Sequence, residues 1–123
     1  IGRKLNHQPK PRCMLTCRLL KLHCYISDEK ADEVYLKRAK KKIWPKDAKY
    51  IEMTEPELAV DIDINEERNT MVVIELWDYD TWSFNDKLGT FKMLVDERGG
   101  PFIADLINEK GTTAKYSLEW EVV

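Results

Sequence analysis

The sequence predicts an all-β fold: an antiparallel sandwich of seven or eight strands with at most one short helix. Three observations predict it. Apolar and polar residues alternate with period two in several separate runs, most cleanly in LAVDIDI at 58–64 and AKYSLEWEV at 114–122. Clusters of turn-forming Asp, Asn, Gly and Pro separate those runs. A chain of 123 residues, 43% hydrophobic and 34% charged, is one globular domain whose core can stand without disulfides.

Each element follows in order. Residues 1–12, IGRKLNHQPKPR, have two prolines, a basic bias and no apolar period, so they read as a linker or arm before a sandwich domain over 13–123. MLTCRLLKLHCYI is a long first strand at 14–26, and SDEKAD is a polar loop. EVYLKRA alternates, with Val34 and Leu36 on one face and Glu33, Tyr35 and Lys37 on the other. KKKIWPKDAKYIEM holds one or two short strands broken at Pro45, and TEPE turns the chain. Leu58, Val60, Ile62 and Ile64 then face inward, with Asp61 and Asp63 outward. After the NEERN turn, TMVVIELWD is apolar on both faces and belongs in the middle of a sheet. DYDTWSFND is a loop. KLGTFKMLVD is a strand with Phe91, Met93 and Val95 on one face. In ERGGPFIADLINEKG a short helix is expected, with Pro101 near its start and Gly111 past its end. The last strand turns Ala114, Tyr116, Leu118, Trp120 and Val122 inward.

Several function classes drop out. No run approaches about 20 apolar residues, the length of a membrane-spanning helix. The first residue is Ile1, so a longer parent is expected. Cys13, Cys17 and Cys24 are an odd set without metal spacing; the last two fall on opposite faces of one strand, so free thiols and a reducing compartment are expected. Charge is segregated: +6 over 1–24, −3 over 25–33, +6 over 34–50, −9 over 51–80 and −2 over 81–123. A nucleic-acid binder would present one dominant basic field, so that class is excluded. No GxSxG, HExxH or P-loop occurs, and His7 and His23 have no catalytic company, so no enzyme is expected.

The sharpest feature is WDYDTWSFNDKLG at 77–89, with Asp78, Asp80 and Asp86 inside nine residues between two strands. Two unit charges about 4 Å apart repel by about 4 kcal/mol at an effective dielectric of 20. A loop that gathers three is best neutralised by a cation, and oxygen-only ligands select a hard one, calcium before magnesium. The spacing is not an EF-hand: counted from Asp78, its sixth residue is Ser83 and its twelfth Gly89.

A strand ending WDYD, then five residues, Asp, and a hydrophobic residue before Gly resembles the third calcium-binding loop of C2 domains. The resemblance covers roughly residues 14–123 and implies an eight-stranded antiparallel sandwich that docks on phospholipid membranes. It implies calcium ligation by Asp78, Asp80 and Asp86. In the first loop, EVYLK matches the strand that follows the second acid, which puts Glu33 in that place, or Asp32 if one residue is inserted; Asp28 stands for the first acid. The family's Gly-rich stretch between those acids is missing.

The resemblance also assigns Trp82 and Phe84, at the loop tip, to membrane insertion, and Lys37, Arg38, Lys40, Lys41 and Lys42 to a patch for anionic head groups. Strand alternation keeps those five bases from sharing a single face. Two readings stand. One is a calcium-dependent module that takes a larger protein to anionic phospholipid membranes, at the cytoplasmic face or outside the cell. The other is a C2-like scaffold that binds a protein partner without metal.

Overall fold

The computed structural model describes residues 13–123; the arm expected over 1–12 lies outside the described residues. Ten strands run β1 (Met14–Ile26), β2 (Glu33–Arg38), β3 (Lys41–Trp44), β4 (Ile51–Glu52), β5 (Glu57–Glu67), β6 (Thr70–Asp78), β7 (Asp86–Val95), β8 (Gly99–Asp105), β9 (Ile107–Asn108) and β10 (Lys115–Val122). Eight of these are longer than two residues, as expected. One sheet has the order β5-β1-β10-β8 and the other β3-β2-β6-β7-β9, with β4 also on β2. Every pairing is antiparallel. The two sheets face each other across one core.

The period-two runs supply that core. Val60, Ile62 and Ile64 of β5, Phe91, Met93 and Val95 of β7, and Tyr116, Leu118, Trp120 and Val122 of β10 are all buried, as their alternation predicts. Each such side chain contributes about 1.5–3 kcal/mol through the apolar area it removes from water. β6 lies between β2 and β7, the central position expected, with Val72, Ile74 and Leu76 buried and Met71 and Val73 exposed on its other face.

The near-continuous apolar run of β1 has a different cause. Its register shifts against both neighbours between Leu19 and Lys21. The buried positions therefore run Leu15, Cys17, Leu19 and then Leu22, a change of phase. This corrects the expectation for the cysteines. Cys24 packs against the same core as Cys17. The two thiols stay free because seven residues of strand separate them by about 23 Å, not because they face apart.

Across the same row, Asp61 of β5 adopts φ 53°, the left-handed region. An L-residue is strained there while glycine is not. Asp61→Gly is expected to raise stability by about 0.5–1 kcal/mol, read as a higher urea midpoint at unchanged slope.

The helix expected within 97–111 is absent; β8 and β9 occupy that stretch. Gly100 has φ 117°, outside helical geometry, and a Cβ placed there would lie 2.9 Å from Cβ of Glu121. The backbone thus presses directly on β10. Phe102 then lies against Trp120 with ring centroids 4.8 Å apart. The turn residues that resembled a helix start instead bring an edge strand onto the sheet.

Candidate functional site

The loops 27–32, 79–85 and 109–114 meet at one end of the sandwich, because β2 and β7 flank β6 and carry their ends to the same place. At the last turn of that ladder, Asp78 is paired with Val34 on one side and with Asp86 on the other. Asp78 is buried, and its Oδ1 accepts the Glu33 amide at 2.8 Å. Burial pushes its carboxyl up to about 7, with further upward pressure from Asp32, Glu29 and Glu33; the Glu33 amide pulls the other way.

Glu29 arrives from the first loop. One carboxylate oxygen from each of Glu29, Asp78 and Asp86 lies within 4.8 Å of the other two. Loss of water, then the charges of Asp32, Asp80, Asp86 and Asp28, push Glu29 above the usual carboxylate range. Three acids gathered this closely repel one another unless a cation or protons neutralise them. Their oxygen-only donor set fits a hard divalent cation. Close by, Oε2 of Glu33 is buried without a hydrogen-bond partner.

The other acids expected at the site surround it, and three of them also hold the loops through hydrogen bonds. Asp28 Oδ1 accepts the Thr113 amide at 2.9 Å. Asp32 is fully buried and accepts the Asp28 and Glu29 amides and the Tyr116 hydroxyl. Glu33 begins β2, and its carboxylate is the main cause that raises the Tyr50 phenol. Asp80 braces its own loop, accepting the Trp82 amide at 2.8 Å and the Ser83 hydroxyl at 3.2 Å. Of the six expected ligands, Asp78 and Asp86 therefore converge. Glu29 joins them, a residue that the sequence pattern did not single out. The available signal was the spacing of Asp32, three and four residues after amides it can accept; a loop closed on itself that way turns the residue beside Asp28 to the site.

Trp82 is 94% exposed and Phe84 92% exposed. The loop that holds them is nonetheless braced. Besides Asp80, Asn85 Oδ1 accepts the Asp80 amide and Asn85 Nδ2 donates to the Tyr35 hydroxyl, both at 2.9 Å. Two large rings are thus held in water by a structured loop, with no core contact that explains them.

Beside this loop, Lys37, Lys40, Lys42, Lys49, Tyr35, Tyr79 and Asn85 line a depression of about 360 Å³. Lys37 Nζ stands 4.7 Å from the Trp77 ring centroid and Lys49 Nζ 5.8 Å from that of Tyr79. The expected basic patch divides by strand alternation. Lys37, Lys40 and Lys42 share the depression, and Lys49 joins them from beyond β3. Arg38 is ion-paired with Glu66, and Lys41 lines a groove with Asp61, Asp63 and Lys42, which borders both surfaces.

No family model matches the sequence, and no curated protein matches it. Among solved structures, a C2 domain of plant extended synaptotagmin 1 superposes with a TM-score of 0.59 at 14% identity, over 93% of this chain and 95% of that one. Another, described as a C2 domain, has a TM-score of 0.42 at 15% identity over 88% of this chain and 97% of that one. With two antiparallel sheets in this order, three loops gathered at one end, and the first of these superpositions over nearly its whole described length, the chain has the C2-domain fold.

Proposed function

We propose that this domain binds calcium at Glu29, Asp78 and Asp86 and docks on anionic phospholipid membranes, as the targeting module of a larger protein rather than as an enzyme. The observation that carries the reading is the exposure of Trp82 and Phe84, at 94% and 92%, on a braced loop immediately beside three converging carboxylates.

The residues divide the work. Glu29, Asp78 and Asp86 make the loop end anionic, so it repels an anionic surface on its own. When bound, calcium supplies positive charge there and leaves coordination positions for lipid phosphate oxygens. Trp82 and Phe84 then enter the interface, where an indole keeps its N–H near water and its ring in the apolar layer. Lys37, Lys40, Lys42 and Lys49 receive a phosphorylated head group beside the inserted loop, each base adding about 1 kcal/mol near an anionic surface. The place of action is a membrane surface, with the free thiols favouring a cytoplasmic one.

A second reading, a metal-independent scaffold for a protein partner, is favoured by the engagement of Asp28, Asp32 and Asp80 in hydrogen bonds of the loops. Calorimetry with calcium, followed by flotation with phosphatidylserine-containing vesicles, separates the two. The first reading expects heat with a dissociation constant of about 10⁻⁴ M and calcium-dependent flotation. Absence of heat up to millimolar calcium, together with no flotation with or without calcium, would favour the second.

A further inference from the structure

We infer that Asp28 and Asp32 are positioning residues: two struts that preset the first loop so that Glu29, and not either of them, completes the cation site. The inference rests on the cation reading above and names which first-loop acid does what.

The first strut is Asp32. Its carboxylate is fully buried, and both oxygens are used. Oδ1 accepts the Glu29 amide at 2.9 Å. Oδ2 accepts the Asp28 amide at 2.9 Å and the Tyr116 hydroxyl at 2.6 Å. Tyr116 stands on β10 and is 1% exposed, so this strut bears on the core itself. Burial first, and then its bond to Asp32, push the Tyr116 phenol up, which keeps it a donor. The second strut is Asp28. Its Oδ1 accepts the amide of Thr113 at 2.9 Å and the hydroxyl of the same residue at 3.4 Å. This ties the first loop to the loop before β10.

Between the struts the chain has little freedom. The amides on both sides of the Asp28 Cα are held, and the Asp28 side chain points to Thr113. The next residue, Glu29, is the one whose carboxylate reaches Asp78 and Asp86. A loop ordered before binding loses less conformational entropy when the cation arrives, so the struts contribute affinity without touching the metal. Charge-assisted bonds from amides and a phenol suit this work, since each is stronger than a neutral pair.

A substitution that removes charge but keeps the acceptor tells a strut from a ligand. The full chain is titrated with calcium by calorimetry, and amide hydrogen exchange is followed in the metal-free protein. Asp28→Asn is expected to keep calcium affinity within about twofold, because its carboxamide oxygen still accepts the Thr113 amide. Asp28→Ala is expected to weaken binding about threefold to tenfold, the worth of a lost hydrogen bond. Glu29→Gln is expected to weaken it about thirtyfold or more, because a carboxylate ligand is lost. In exchange, the Thr113 amide is protected in the wild type and in Asp28→Asn, and faster in Asp28→Ala. Tyr116→Phe speeds the Asp28 and Glu29 amides. The inference is overturned if Asp28→Asn loses as much affinity as Glu29→Gln, or if the Thr113 amide of the metal-free wild type exchanges like an open coil. Absence of calcium heat in the wild type would defeat the cation reading, and the exchange rates would still judge the struts.

Discussion

Replacing Trp82 and Phe84 together by alanine lowers affinity for anionic vesicles at saturating calcium by about two to four orders of magnitude, and leaves stability and calcium binding in solution unchanged. The reason is their exposure. At 94% and 92%, neither ring has core contacts to lose, so the fold does not register their removal. On a membrane each has nearly its whole surface to bury, worth about 1.5–3 kcal/mol apiece. The comparison that makes this specific is Lys37→Ala with Lys49→Ala, which removes about 1 kcal/mol per base and therefore about one order of magnitude in all. Salt distinguishes the two as well: raising ionic strength weakens the lysine contribution and spares the aromatic one. Vesicle flotation across a calcium and salt series measures both. Aromatic variants that float like the wild type would remove the insertion step from the mechanism.

Asp78→Asn has opposite effects on binding and on stability. Calcium affinity falls about a hundredfold, since the substitution takes a carboxylate from the middle of the three-acid cluster. The metal-free protein becomes more stable at pH 8. Burial holds the folded Asp78 at about 7, far above its ordinary value of 3.8. The folded state therefore binds more protons than the unfolded state between those two values. Where that holds, stability falls as pH rises. The wild type is expected to lose on the order of 2 kcal/mol between pH 5 and pH 8 from this group, with the loss levelling off above the folded value. Asp78→Asn keeps an oxygen for the Glu33 amide, carries no charge to bury and lacks that slope. Thermal or urea unfolding of both proteins at pH 5, 6.5 and 8 without metal reads the difference. Parallel pH profiles would mean that Asp78 carries its charge at no expense to the fold. Calcium itself should cancel the slope in the wild type, because a bound cation favours the ionised carboxylate.

Much of the sandwich is legible in the amino-acid pattern. β5, β7 and β10 alternate without interruption, and period two assigns their faces by geometry alone. β6, apolar in sequence on both sides, does take a central place, although Met71 and Val73 on its second face stay exposed. β1 is legible as a strand but not in its phase, because a register shift leaves no mark in an apolar run where either face tolerates Leu. The helix expected after Gly99-Gly100 fails for a related reason. Glycine, proline and a few apolar residues serve a helix start and an edge strand alike, and what decides is the neighbour: the β10 backbone behind Gly100 and Trp120 beside Phe102.

The candidate site divides along the same line. Asp78 and Asp86 are placed by strand ends, and the sequence shows strand ends. The resemblance puts Trp82 and Phe84 at the loop tip, and the structure leaves both exposed. The first loop could not be read, because SDEKAD offers three acids in six positions and alternation says nothing about a loop. Which acid faces the site depends on Tyr116 and Thr113, more than eighty residues away in the chain. The basic run likewise becomes a site only when Lys49 joins it and Arg38 turns to Glu66. By itself, the sequence determined the all-β sandwich and the acidic loop, since these follow from periodicity and local composition. The tertiary structure decided that Glu29 completes the carboxylate cluster and which lysines share a depression, since both are set by hydrogen bonds and ion pairs between strands far apart in the chain.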